Sequence, residues 1–238
     1  MEMRTLGPAP IAVEWSLSNK KEIVIEVPKQ LVEKRRKTIP FTATGVIDRV
    51  DLVPFDPQGE KWHDEEGSHE VAPLRLLGSG WKPRRMIIIR DLKSKEDFTK
   101  PMERHERAIF GELQLALYSR AWEIAHPGDL VIGAGITTLG FDSKHYIELS
   151  VHAPNWVFDG SYGEVTRLTH NMFRFADEGP NTESDPFRAW LTHRMAVASN
   201  VAHNANSGLY NPTPDESVCR FCSASNICDQ SAKGGFSA

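Results

Sequence analysis

The alternation of apolar and polar positions predicts strands at 11–17 (IAVEWSL) and 22–27 (EIVIEV), short runs rich in β-branched and aromatic residues. A third run, FTATGVIDRVDLVP at 41–54, ends at Pro54 and reads as one strand. Its parity puts Thr44, Val46, Asp48, Val50 and Leu52 on one face and Gly45, Ile47, Arg49, Asp51 and Val53 on the other. Residues 55–85 are rich in proline, glycine and charge without a clear period, and read as a long insertion between two strands. The stretch HDEEGSHE within them reads as a solvated loop tip in preference to a metal site. RMIIIRDLKSKED at 85–97 is an apolar strand that stops abruptly in charge, with Ile87, Ile89, Asp91 and Lys93 on one face. A long helix is expected over 103–126, punctuated by Pro127-Gly128, then strands at 131–140 and 145–151 and helices over 160–178 and 184–206. This order predicts a mixed α/β core over 11–206, followed by a cysteine-containing tail at 207–238.

Composition narrows the class. A chain of 238 residues, 25% charged and 40% hydrophobic, fits a globular protein with one large domain, or one core with appendages. No apolar run approaches the roughly 20 residues that cross a bilayer, so no membrane partner is expected. The opening MEMRTLGPAPIAVEW lacks a basic segment followed by an apolar one, so a cytoplasmic location is the simplest expectation. A net charge of −4 excludes a uniformly basic surface but leaves room for a local phosphate-binding stripe. Lys29, Lys34, Arg35, Arg36 and Lys37 form one basic run; Arg84, Arg85, Lys93, Lys95 and Lys100 form another. Alone, such runs are more often solvated faces than nucleic-acid surfaces.

Candidate chemistry starts at Asp91-Leu92-Lys93. A carboxylate and an ammonium two residues apart on a strand point the same way, and here they close an apolar run. Hard divalent cations prefer carboxylate oxygen, and a neighbouring lysine can orient water and stabilise charge developing on a phosphoryl group. Asp48 offers a second carboxylate on a strand able to pair beside the first, with Gly45 permitting close backbone approach. Parity prevents Asp48 and Asp51 from both facing one site unless a bulge intervenes, and periodicity leaves open which of them does. Gln114 and Tyr118 lie four apart on one helix face, although Leu113, Leu117 and Ala121 mark much of that helix as core. Cys219, Cys222 and Cys228 are too closely spaced for a disulfide framework and read as ligands of a soft metal, with a fourth ligand to come from elsewhere.

The series G-x-I-D-x-x-D, I-I-x-D-x-K, Q-L-x-L-Y and C-x2-C-x5-C resembles the RecB-like PD-(D/E)XK nucleases, most of all the AddB and exonuclease V type. The resemblance runs from about Val13 to Cys228. It implies a restriction-endonuclease-like fold: a mixed central sheet flanked by helices, with a C-terminal cysteine-rich staple. It also implies DNA cleavage with Mg²⁺ or Mn²⁺ held by Asp48 and Asp91, with Lys93 beside them. Gln114 and Tyr118 match the helix motif bordering the active site and the DNA, and Glu14 sits where relatives carry an early acid. The three cysteines match ligands of a [4Fe–4S] cluster whose fourth ligand lies outside this chain; zinc is the alternative. The implied role is DNA repair or recombination alongside a helicase domain or subunit. Two features depart from the pattern: Leu92 stands where an aromatic is common, and no upstream G-x-x-x-H segment or first cluster cysteine precedes Val13. The second departure implies the C-terminal part of a longer protein, or a truncated frame. It also keeps a rival in play, a nuclease-like DNA-binding scaffold that has lost catalysis.

Overall fold

In the computed structural model the described residues are 9–18, 22–32, 37–52, 70–75, 81, 83–94, 107–139, 156–157, 166–167 and 186–209. The main sheet is built from β1 (Ala9–Ser16), β4 (Val46–Leu52), β5 (Arg85–Ser94) and β6 (Asp129–Leu139), in the order β1-β4-β5-β6. The pairs β1–β4 and β4–β5 are antiparallel, whereas β5 and β6 are parallel. A parallel pair needs a crossover, and the helix α1 (Gln114–Ala125) lies in that connection. Two short ribbons accompany the sheet: β2 (Val24–Ile25) with β3 (Phe41–Thr42), and β7 (Trp156–Val157) with β8 (Thr166–Arg167). The chain between β2 and β3 includes a 3₁₀ turn at Lys29–Leu31. A second long helix, α2 (Pro186–Asn206), opens with proline at its first position, where a missing N–H costs nothing. The mixed α/β architecture expected from the sequence is the one observed.

β5 is the spine. Met86, Ile87, Ile88 and Ile89 are all buried, so both faces of this strand are covered and no alternation is needed. Ile87 and Ile89 share a core with Ile47 and Val50 of β4, Leu115, Tyr118 and Trp122 of α1, Val131 and Ile136 of β6, and Phe187, Leu191 and Met195 of α2. Burial of each such side chain contributes roughly 1.5–3 kcal/mol. The strand leaves the core abruptly: Asp91 is 2% exposed and Leu92 37%.

Polar groups fasten the far end of α1. Glu123 accepts the Val131 N–H at 3.0 Å, pairs with Arg188 of α2, and accepts from Arg120 at 3.0 Å. The two guanidiniums also donate to the carbonyls of Ala72, Pro73 and Leu74. Gly128, at a φ of 95°, makes the tight turn into β6, where Asp129 receives a bidentate Arg85 and the Trp122 indole N–H.

Several sequence expectations need correction. The run 41–54 is two strands: Phe41–Thr42 pairs with β2 and Val46–Leu52 joins the main sheet. The break falls at Gly45, whose φ of 146° carries the chain from one sheet to the other. The run 22–27 narrows to the two-residue β2. The helix expected over 103–126 is interrupted: Arg107–Gly111 is a π-helical turn and the α-helix starts only at Gln114. Arg194 of α2 donates to the carbonyls of Phe110 and Glu112 at 3.0 and 2.6 Å, which ties the segment between the π-helical turn and α1 to α2. Within the span 160–178, Thr166–Arg167 is strand, because pairing with Trp156–Val157 supplies its backbone bonds. The strand expected at 145–151 and nearly all of the cysteine tail, including Cys219, Cys222 and Cys228, lie outside the described residues. Among those that are described, no helix is long and apolar enough to cross a membrane.

Candidate metal centre

The register of β4 on β5 decides which acids meet. Arg49 stands opposite Arg90 and Val50 opposite Ile89, so one step further along the ladder Asp48 comes abreast of Asp91. At that point the side chain of Asp48 takes over from the backbone. Its Oδ2 accepts the Leu92 N–H at 2.6 Å, bridging the two strands and fixing the carboxylate beside Asp91.

Asp91 is held from two sides. Its Oδ1 accepts a hydrogen bond from Gln114 Nε2 at 3.1 Å, and its Oδ2 stands 2.6 Å from Lys93 Nζ. Burial pushes the Asp91 carboxyl above the usual carboxylate range. The Lys93 ammonium pulls it back, and the charge of Asp48 pushes it up again. Oδ2 is fully buried, and the Lys93 ammonium is its close partner. The Lys93 ammonium offsets part of the cost of burying this charge.

Gln114 lies at the first position of α1, so its amide meets the strand end, and Tyr118 stands one turn on. Gln114 Nε2 also donates to the Tyr118 hydroxyl at 3.1 Å. Asp48, Asp91, Lys93, Gln114 and Tyr118 thus form one connected cluster at the edge of the core. Glu14 stands apart. It sits in β1 between Val13, opposite Arg49, and Trp15, opposite Ile47, with its backbone at a φ of 47°. Its side chain makes no hydrogen bond or ion pair with the described residues.

The choice between Asp48 and Asp51, open in the sequence, is made by burial and charge. Asp51 is 0% exposed and bonds the guanidiniums of Arg49 and Arg90, each at 2.6 Å. With both oxygens so engaged, it is a structural counter-ion. Sequence reasoning missed the Leu92 N–H, because a backbone donor leaves no trace in residue type, and it missed Arg90 as the partner of Asp51. It singled out Gly45 for close approach without naming what approaches: the Tyr118 ring.

The donor set suits a hard divalent ion, which takes oxygen ligands and keeps several waters when protein ligands are few. The adjacent carboxylates of Asp48 and Asp91 supply such oxygens; among the described residues no group of three or more His, Cys, Asp and Glu converges. Comparison with known proteins bears on this arrangement. No curated protein and no solved structure matches the chain. The family model of the PD-(D/E)XK nuclease superfamily matches residues 77–229, which include Asp91, Lys93, Gln114, Tyr118 and the three cysteines; Asp48 and Glu14 precede the match. Well over half of the chain carries that family's pattern on a mixed sheet with an acid–lysine pair at a strand end, and the chain belongs to the PD-(D/E)XK nuclease superfamily.

Proposed function

We propose that the protein is a divalent-metal-dependent deoxyribonuclease of the RecB-like type, acting on DNA in repair or recombination alongside a helicase. The observation that carries this reading is the Asp91 carboxylate, buried at the end of β5 beside a second carboxylate, Asp48, and the Lys93 ammonium. Asp48 and Asp91 would hold Mg²⁺ or Mn²⁺, which when bound would supply Lewis-acid polarisation of a phosphodiester and a lowered pKa for water. Lys93, two residues beyond Asp91 and one-third exposed, is placed to hold the attacking water and to offset charge on the phosphoryl oxygens. Gln114 orients Asp91, and the Leu92 N–H orients Asp48. Glu14 remains a candidate through the resemblance alone. Cys219, Cys222 and Cys228 are proposed as [4Fe–4S] ligands with a fourth from outside this chain, and zinc is their alternative.

The test is digestion of linear single- and double-stranded DNA by the purified protein over a titration of Mg²⁺ and Mn²⁺. Cleavage is expected only with added metal and is lost in Asp91→Ala and Lys93→Ala. Cleavage in EDTA, or a fully active Asp91→Ala, overturns the reading. For the cysteines, anaerobic purification distinguishes a brown protein absorbing near roughly 400 nm, as thiolate-ligated clusters do, from a colourless zinc protein.

A further inference from the structure

Gly45 is conspicuous because its surroundings, and not only its backbone, exclude a side chain. A Cβ built there comes within 3.0 Å of both Cε1 and the hydroxyl of Tyr118. The backbone at this point has little room to retreat. The Gly45 carbonyl accepts the Leu17 N–H at 3.0 Å on the β1 side, and the Ala43 N–H bonds the Ile23 carbonyl at 3.3 Å on the other. The Tyr118 ring is itself buried in the core, so added bulk at position 45 moves the ring or strains a chain already at a φ of 146°.

The place of that ring sets the place of its hydroxyl, and the hydroxyl anchors Gln114. Gln114 Nε2 carries two hydrogens, and it donates to Asp91 Oδ1 and to the Tyr118 hydroxyl, each at 3.1 Å. With both bonds in place the amide plane is fixed. If the hydroxyl is displaced, the amide keeps one anchor and turns about it, and Asp91 Oδ1 loses a defined donor. We infer that Gly45 is a positioning residue for the metal centre, acting through Tyr118 and Gln114 to set the orientation of Asp91. The inference rests on the reading of Asp91 as a metal ligand. Partners of this kind, which orient a ligand without touching the ion, typically change metal affinity by roughly 10- to 100-fold.

The experiment is a double-mutant cycle on the full chain, read as Mn²⁺ affinity by calorimetry without DNA. Thermal unfolding of each variant is recorded alongside. Tyr118→Phe keeps the ring and removes only the hydroxyl, and it should weaken Mn²⁺ binding by roughly 10-fold or more. Gly45→Ala should weaken it by a similar factor in the wild-type background. In the Tyr118→Phe background Gly45→Ala should leave Mn²⁺ affinity unchanged, because the relay is already cut. Backbone strain, by contrast, lowers the unfolding temperature in both backgrounds. Unchanged Mn²⁺ affinity in Tyr118→Phe overturns the inference, whether or not Gly45→Ala folds, as does an equal affinity loss from Gly45→Ala in both backgrounds. If the wild type binds no Mn²⁺, or Asp91→Ala binds it as well as the wild type, the nuclease reading fails and takes this inference with it.

Discussion

The buried charges around Glu123 allow a stability prediction with a worked magnitude. Glu123 is 0% exposed, and one carboxylate serves the Val131 N–H and two guanidiniums, Arg188 and Arg120. The substitution Glu123→Gln keeps the volume but removes the charge and turns one acceptor into a donor. Arg188, itself 2% exposed, then keeps its carbonyl partners and loses its counter-charge, while an amide N–H faces either a guanidinium or a backbone N–H. Removing one partner of a buried pair costs about 3–5 kcal/mol, a large share of the roughly 5–15 kcal/mol that holds a domain together. At roughly 2–4 °C per kcal/mol for a chain of this size, the unfolding temperature should fall by about 6–20 °C. Differential scanning calorimetry measures this, with the urea midpoint as a second probe. The double variant Glu123→Gln/Arg188→Met should be less impaired than Glu123→Gln alone, since it removes one of the stranded charges. A Glu123→Gln protein within about 1 kcal/mol of wild type, or a double variant showing simple additivity, refutes the view that this carboxylate neutralises the clamp.

Three further outcomes are expected from the same geometry. Asp51→Asn should lower stability by about 3–5 kcal/mol, because Arg49 and Arg90 lose their shared counter-ion; its folded fraction should keep the proposed metal-dependent cleavage, and Asp48→Asn should lose that cleavage. Because burial raises the Asp91 pKa, the native state holds this proton more tightly than the unfolded chain. Stability therefore falls as pH rises from the unfolded carboxyl pKa of roughly 3.9 through the higher folded value. Asp91→Asn should accordingly unfold at a higher temperature at pH 7 and flatten the acid limb of the stability profile, and a lower unfolding temperature at pH 7 would contradict this. His126 has the opposite sign: burial lowers its pKa, although its bond to the Trp122 carbonyl and the nearby Asp129 work against this. The unfolded chain then binds the extra proton first, so stability drops as pH falls below roughly 6.5, and His126→Gln should abolish that part of the pH dependence.

Much of this site was legible in the sequence, and the reason is local. Within one strand, side-chain parity follows from covalent geometry alone, so Asp91 and Lys93 share a face whatever the tertiary structure. The same holds for Gln114 and Tyr118 at helical spacing. The apolar run Met86–Ile89, ended by charge, likewise had to be a strand that leaves the core. What periodicity could not supply was which faces meet. Asp48 and Asp51 have the same chemistry, and only the β4–β5 register and the guanidiniums of Arg49 and Arg90 separate the proposed metal ligand from a counter-ion. The division of 41–54 between two sheets and the late start of α1 at Gln114 had the same origin. Each depends on hydrogen bonds to residues distant in sequence: Ile23 and Leu17 for the first, Arg194 for the second. Local preference fixes what an element can be, and long-range partners for its backbone groups decide where it begins, where it breaks and what its side chains confront.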